Sequence, residues 1–416
     1  MSGPKPTIVI LATMDTKAEE AFFVASCLKN AGTMPWIVDL SLMPHDSEGS
    51  DVSGDEVADA GGRTWATLEK MDRRAASDAM IAGAINVVRG RFDAGQLGGA
   101  IGLGGANGTT MACAIMRALP YLVPKVMVSA VAATAAVQWY VAEADIAMHA
   151  SIGDVAVNRI TKAAMENAAV GVAAAAVNRA SKAEKIQTHP PLVAISSFGG
   201  TAGCVDRAQS LLEAEGYEVI LFHASGIGGR ALERLAREGE LAGVLDITTH
   251  ELTDFVVGGV YDAGGERLTG AGAMGLPQVV VPGAIDHSNF WTGQVPERYR
   301  GREFFQYNAQ NLLMRTDARE MEELGRAFAR RLNASTGPVR VLIPVEGYSE
   351  HTKRRTHDLS DNEIGAWAQP ETDAAFIRAL ASNLSTGAVE ELPNHINEAA
   401  FADACVAAFL EIIGTA

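Results

Sequence analysis

Cysteine is scarce. The four present, Cys27, Cys113, Cys204 and Cys405, stand far apart in 416 residues, each among apolar neighbours. No CxxC or other ligand spacing occurs, which excludes a zinc module and a disulfide framework and leaves buried free thiols of a reducing compartment. Aromatic residues are few, at 6%. Positive charge is short as well: 34 lysines and arginines face 50 aspartates and glutamates, for a net charge of −16, and no basic block exceeds Lys353-Arg354-Arg355. That balance argues against nucleic acid or an anionic membrane as partner. The N-terminus carries no apolar signal-peptide core and runs from a polar, proline-containing start into a strand. The uncharged alanine-rich run Asn167 to Asn178 covers about a dozen residues, too short to cross a bilayer. A cytoplasmic protein is expected. What is plentiful is apolar surface, with 48% hydrophobic residues, and 42 glycines. The length suffices for two or three domains.

The glycines concentrate between Leu97 and Leu119. A short apolar strand ends near Ile101, Gly102, Gly104, Gly105, Asn107 and Gly108 follow, and the pattern predicts a helix opening at Thr109 or Thr110 and closing at Pro120. Glycines admit positive φ and the close approach of a ligand to backbone N–H groups. A helix N-terminus adds unpaired donors and partial positive charge, so together they make an anion site, most often for phosphate. The two threonines can cap the helix, donate to an anion, or ligate Mg²⁺. The motif matches neither standard signature: Asn107 replaces the third glycine of GxGxxG, and no Lys-Ser or Lys-Thr follows as in a Walker A loop. A tight turn with close packing and no ligand is the alternative reading.

The chain opens as βαβ: strand Thr7 to Ala12, loop Thr13 to Lys17, helix Ala18 to Asn30, strand Pro35 to Leu40. Loops beyond strand carboxyl ends face the ligand in such sheets. Lys17 can therefore offset phosphate charge and Asp15 can hold Mg²⁺; alternatively Asp15 or Thr16 only caps the helix. Met43 to Gly62 reads as a polar excursion, and Thr64 to Phe92 as a helix broken near Gly83. Pro124 to Ser129 and Asp145 to Ser151 read as strands, with His149 a satisfied core histidine. Val155 to Ser181 reads as a long helix. Lys182 to Pro191 is a linker, because Pro190-Pro191 cannot continue a helix.

The pattern then restarts. Strands are expected at 192–197, 218–223, 243–247, 278–281, 339–344 and 388–392, with a closing helix at 398–413. The reading is α/β: two Rossmann-like, doubly wound domains with mainly parallel sheets, 1–183 and 184–416, with a cleft between them. The closing helix packing back on the first domain is an alternative. His223, Ser225, Thr248, Thr249, His250, Glu251, Asp286, His287, His395 and Asn397 all follow predicted strands of the second half and gather at one mouth if that sheet is parallel. Such carboxylates and imidazoles serve as general acid and base or hold a metal. No zinc spacing occurs, and taken singly each residue reads as a cap or backbone partner. His223, Glu251, Asp286 and His395 are the catalytic candidates.

The motifs ATMDTK (Ala12–Lys17), GLGGANGTT (Gly102–Thr110), MRALP (Met116–Pro120), VPKVMVSAVA (Val123–Ala132), FHASGIGGRA (Phe222–Ala231), GVLDITTHEL (Gly243–Leu252), VPGAIDHSNF (Val281–Phe290) and HIN (His395–Asn397) occur together. With them the chain resembles, over nearly its whole length, the bacterial family similar to the ATP-binding N-terminal region of the tomato mosaic virus resistance protein. The resemblance implies two Rossmann-like domains, ATP with Mg²⁺ in the first, and a homodimer or higher homo-oligomer. The cofactor candidates are Thr13, Asp15, Thr16, Lys17, Gly102, Gly104, Gly105, Asn107, Gly108, Thr109 and Thr110, with Asp15 on the metal. The function expected is ATP and Mg²⁺ binding. The alternative is an enzyme acting on a small carboxylate or phosphorylated metabolite at the inter-domain cleft. The polar, basic segment Tyr348 to Gln369 is expected as a lid or a solvated loop.

Overall fold

Thr7–Ala12 (β1) is an unbroken apolar run, buried on both faces inside a parallel sheet, where such runs belong. In this computed structural model residues 5–45, 48–183 and 189–414 are described. Contacts divide the chain into two compact units, Met1–Gln187 and Thr188–Ala416. The linker expected at 182–191 lies largely outside the described residues.

The first unit continues through α1 (Met14–Asn30), β2 (Met34–Asp39), α2 (Gly54–Ala60), α3 (Trp65–Leu68), α4 (Arg73–Asp93), β3 (Gly99–Gly104), α5 (Ala106–Arg117), β4 (Lys125–Ser129), α6 (Val137–Val141), β5 (Ala147–Ala150) and α7 (Arg159–Ala183). Its sheet runs β2-β1-β3-β4-β5, all parallel. The helices α1 and α7 bury one face, and α4 and α5 the other. The order reverses between β1 and β3, and in doubly wound sheets that reversal leaves a crevice at the strand carboxyl ends.

Local expectations change in four places. The excursion at Met43 to Gly62 contains α2, started by a reciprocal cap in which the Glu56 N–H donates to Ser53 Oγ at 3.3 Å and the Ser53 N–H donates to Glu56 Oε2 at 2.8 Å. The break expected at Gly83 lies instead at 69–72. Gly83 sits inside α4, where a side chain would strike the Val57 carbonyl, so glycine lets α2 lie against α4. α7 starts at Arg159 because Asn158 Oδ1 accepts the Ile160 and Thr161 amides at 3.0 and 3.1 Å. His149 is not a core histidine: β5 is the sheet edge, and its ring is half-buried with Nδ1 3.3 Å from the Ala150 carbonyl.

The second unit holds β6 (Leu192–Ser197), α8 (Ala202–Ala214), β7 (Glu218–His223), α9 (Ile227–Glu238), β8 (Gly243–Asp246), α10 (His250–Val257), α11 (Gly270–Ala273) and β9 (Gln278–Val280). Then come β10 (His287–Trp291), β11 (Phe304–Gln306), β12 (Asn311–Arg315), α12 (Ala318–Leu332), β13 (Val339–Pro344), β14 (Arg355–His357), β15 (Glu363–Ala366), α13 (Pro370–Asn383), β16 (Ala388–Leu392) and α14 (Ala399–Ile413). Six strands form a parallel sheet in the order β16-β13-β9-β8-β6-β7, which reverses between β6 and β8. The closing helix α14 packs on α8 and over β8, β9 and β13 of this unit.

The remaining strands form a separate antiparallel sheet, β10-β12-β11-β14-β15. It grows from excursions after β9 and β13, hence from the carboxyl edge of the parallel sheet. The segment expected as a lid or solvated loop supplies β14 and β15. His351, Thr356 and Trp367 in it are buried, tied down by Thr356 Oγ1 donating to Glu303 at 2.6 Å and Trp367 Nε1 donating to Asp286 at 2.7 Å. All four cysteines are free and buried, and burial pushes the Cys113 thiol up to about 12. Among the described residues no helix is long and apolar enough to cross a membrane.

Candidate functional site

Two helices begin beside the strand-order reversal of the first unit, and they differ. α1 opens with a short turn at Met14, capped by distant groups, and its unbroken helix follows the kink at Lys17, from the expected Ala18. The Met14 amide donates to Asp39 Oδ1 at 3.1 Å, and the Asp15 amide to Ser41 Oγ at 3.0 Å. Asp15 and Thr16 thus sit in a capped turn, and Lys17, at φ −130° and ψ 21°, kinks the backbone before the helix proper; their amides are already bonded, Thr16 and Lys17 to the Thr13 carbonyl. α5 starts at Ala106, ahead of the expected Thr109. Its N-cap is Gly105, and no side chain caps it among the described residues. Its first-turn amides therefore keep their donors and the positive end of the helix dipole.

Both starts open on one crevice of about 540 Å³. Thr13, Asp15, Thr16 and Lys17 line it together with Gly104, Gly105, Ala106, Asn107 and Gly108. Leu42, Met43, Leu68, Met71 and Ala76 give it an apolar wall, and Glu69 and Arg73 add charge. Lys17 Nζ donates to the Val155 carbonyl, which leaves two ammonium protons for a ligand. The apolar wall and Arg73 were not foreseen, since they enter from α3, α4 and the excursion after β2.

Three residues expected at the phosphates lie elsewhere. Gly102 is inside β3, where a Cβ would stand 2.7 Å from Ala112 Cβ and 2.6 Å from Met127 Sδ, so it serves helix–sheet packing. Thr109 is buried, with Oγ1 2.7 Å from Ser129 Oγ. Thr110 Oγ1 donates back to the Ala106 carbonyl at 2.9 Å.

The expected cluster of the second unit separates into a structural part and an open part. Glu251 is a buried counter-ion. Its Oε2 accepts Arg267 Nε at 2.8 Å, and its Oε1 accepts the Gly226 and Gly229 amides at 2.6 and 2.9 Å. The glycine loop before α9 is therefore already filled by a carboxylate. His395 is engaged at both nitrogens: Nε2 lies 2.9 Å from the Ser349 carbonyl, and Nδ1 accepts the Asn397 amide at 3.2 Å. Neither is free for proton transfer. Asp286 is buried and accepts His287 Nδ1 at 2.9 Å, Ser349 Oγ at 2.7 Å and Trp367 Nε1 at 2.7 Å. Burial opposes its ionisation, but the bond from His287 and the charge of Arg315 hold its carboxyl well below the usual range.

The open part is a stack of rings. His250 lies 5.0 Å from Phe198 and 4.7 Å from His287, and His287 lies 5.4 Å from His351, between ring centroids. His250 Nδ1 meets the Ala284 carbonyl at 2.9 Å. The bond to Asp286 puts the His287 proton on Nδ1 and leaves a lone pair on its Nε2, whereas His250 Nε2 faces the Asp254 carboxylate at 3.7 Å. His250 Nε2, His287 Nε2, Asn289 Oδ1 and His351 Nδ1 are buried with no hydrogen-bond partner among the described residues. His223 and His351 line an adjoining cavity of about 170 Å³ with Phe198, Tyr261, Asn289 and Asn311. His351 and Asn289 were not foreseen, because the antiparallel sheet and the segment after β13 bring them in. No group of three or more His, Cys, Asp or Glu side chains is placed to hold a metal among the described residues.

Burial lowers His287 to about 3, against the pull of Asp286. The unfolded chain takes up this proton near pH 6.5, while the folded chain refuses it until about pH 3. The stability contributed is whole above pH 6.5 and is lost as pH falls towards 3, at about 1.4 kcal/mol per pH unit. Asp373, raised by burial to about 6, acts with the opposite sign but is common to parent and variant. His287→Asn keeps a donor for Asp286 and removes the titration. Urea melts between pH 4 and 6 will show a shallower fall in stability for the variant; equal slopes would place the histidine proton elsewhere.

Residues 6–181 match the N-terminal domain model, and residues 190–413 the C-terminal domain model, of the uncharacterised protein family UPF0261. A UPF0261 protein of Rhizobium meliloti is 39% identical over 411 residues, covering 97% of this chain and 98% of the relative. One of Clostridium tetani is 36% identical over 400 residues, covering 95% and 96%. The ToMV resistance protein Tm-1(GCR237) of Solanum lycopersicum is 36% identical over 324 residues, covering 77% of this chain and 42% of that protein. With both domain models matched in order and relatives aligned end to end, the chain belongs to the UPF0261 family.

Proposed function

We propose that the chain binds ATP with Mg²⁺ in the crevice of its first unit. The observation that carries this reading is the uncapped start of α5, which shares one crevice with Lys17 at the strand-order reversal. Amides of Gly105 to Gly108 receive phosphate oxygens there, as helix N-termini do. Gly105 is the point of closest approach, since a side chain built on it meets nothing within 4 Å. Lys17 and Arg73 supply positive charge, and the exposed Asp15 holds Mg²⁺ directly or through water. The apolar wall from Leu42 to Ala76 accepts the base. The resemblance to an ATP-binding region supports the same ligand. Binding of this kind can organise a fold or a partner surface without turnover.

Calorimetric titration with ATP and Mg²⁺ tests the reading. A saturable site is expected, with affinity falling by about tenfold or more, roughly 1.4 kcal/mol, when Mg²⁺ is chelated. Equal affinity with and without chelator removes Asp15 as a metal-linked group. No saturable binding overturns the reading.

A further inference from the structure

We propose that the second unit carries its own small-molecule site, the 170 Å³ cavity at the carboxyl ends of β6 and β7, and that it takes an uncharged polyhydroxy molecule of about four or five carbons. The site is independent of nucleotide binding in the first unit.

Position is the first argument. Residues just after β6 line the cavity, and β6 borders the strand-order reversal, beside which ligands of doubly wound sheets bind. Phe198 to Gly200 follow β6 on one side, and His223 ends β7 on the other. The antiparallel sheet covers the cavity with Asn289 from β10 and Asn311 and Leu313 from β12. Asp254 fixes that cover by accepting the Ser288 hydroxyl at 2.7 Å and the Asn289 amide at 3.0 Å.

Chemistry is the second argument. Asn289 and His351 line the cavity, are 2% exposed, and each holds a polar atom without a partner among the described residues. His287, whose Nε2 is likewise buried without a hydrogen-bond partner among the described residues, packs on His351. Native interiors rarely leave such atoms unmet. Asn289 Oδ1 on the cavity wall is an acceptor, as is His287 Nε2 in the ring packed on His351, so the ligand must bring donors, directly or through one water. Hydroxyl groups do this, whereas a carboxylate or phosphate brings none. An anion would need imidazolium, which burial opposes at His287 and His351. The described lining residues include no lysine, arginine or carboxylate. Phe198, Tyr261 and Tyr307 offer faces for the C–H side of a polyol. The volume equals roughly five or six waters.

Calorimetry on the full chain with erythritol, xylitol and D-xylose as probes tests this, alongside glycolate, inorganic phosphate and Zn²⁺. At least one probe is expected to bind saturably and to shift imidazole ¹⁵N resonances of the histidines. Asn289→Leu and His351→Phe, which keep volume and remove the polar atoms, should each weaken that binding at least tenfold. No saturable binding by any of the three overturns the proposal. So does binding unchanged in both folded variants, or saturable binding by glycolate, phosphate or Zn²⁺ alone. If a variant does not fold, the parent decides: imidazole resonances unmoved at probe saturation overturn the proposal. Because ATP titration reads the other unit, either result can fail alone.

Discussion

Arg267→Met will cost the second unit about 3–5 kcal/mol, the loss seen when one partner of a buried ion pair is removed. Arg267 is fully buried and anchors three carboxylates: Asp246 at 2.6 and 2.7 Å, Glu251 at 2.8 Å and Glu233 at 3.2 Å. It also donates to the Thr248 carbonyl at 3.2 Å, so it fixes the carboxyl end of β8 where His250 begins. Methionine fills similar space but leaves the carboxylates uncompensated. Burial already pushes Glu233 above the usual range even with Arg267 present. In the variant Glu233 should move further up and take a proton more readily when folded, so the defect will shrink as pH falls. Thermal unfolding should drop by roughly 6–20 °C. Glu251→Gln retains an oxygen for the Gly226 and Gly229 amides and should cost less. An Arg267→Met chain melting within about 2 °C of the parent would mean that the carboxylates are met by other groups.

Glu251 also shows where sequence reading stops. Its place just after a strand, beside His250, marks it as a site candidate, and its position at the sheet's carboxyl edge is indeed as expected. Its partner Arg267 lies 16 residues on, and Asp246 and Glu233 come from other elements, so nothing local identifies a counter-ion. The parallel sheets were legible because β1, β3, β6, β8 and β9 are apolar runs closed by glycine or polar turns. The antiparallel sheet was not. Its strands are three to five residues long, several are polar, and their pairing depends on partners far along the chain. The same cause adds a turn ahead of α1's unbroken helix: Thr13 to Lys17 looks like a loop until Asp39, at the end of β2, and Ser41 just beyond it cap the turn at Met14 and Asp15. In the first unit the two stretches singled out from sequence do line one crevice, but its apolar wall needed tertiary structure. In the second, the ring stack was half visible: His250 and His287 follow strands, whereas His351 and Asn289 lie in segments whose fold the pattern did not disclose.

Gly105→Val is the sharpest test of the crevice. The sequence suggests that its glycines serve left-handed backbone, yet Gly105 has φ −76° and ψ −158°, an extended backbone with negative φ that does not call for glycine. A side chain there meets no atom within 4 Å. Glycine at this position therefore keeps space open rather than permitting a conformation. The folded protein should change by no more than about 0.5 kcal/mol, as at ordinary surface positions. Binding should suffer far more, because the branched side chain occupies the approach to the α5 amides. Losing two charge-assisted N–H bonds to phosphate, each worth roughly 1.5–3 kcal/mol, predicts about 10²- to 10⁴-fold weaker ATP binding. Two neighbours serve as controls. At Gly104 a Cβ would stand 2.8 Å from Gly108 Cα, so Gly104→Ala must push α5 off β3 and should lose about 1–3 kcal/mol of stability. Thr110→Ala should bind ATP like the parent, since that hydroxyl is spent on the Ala106 carbonyl. Melting temperature and ATP titration on the same samples separate these outcomes. A folded Gly105→Val chain with parental affinity would remove the nucleotide from this crevice and leave the start of α5 as a packing turn.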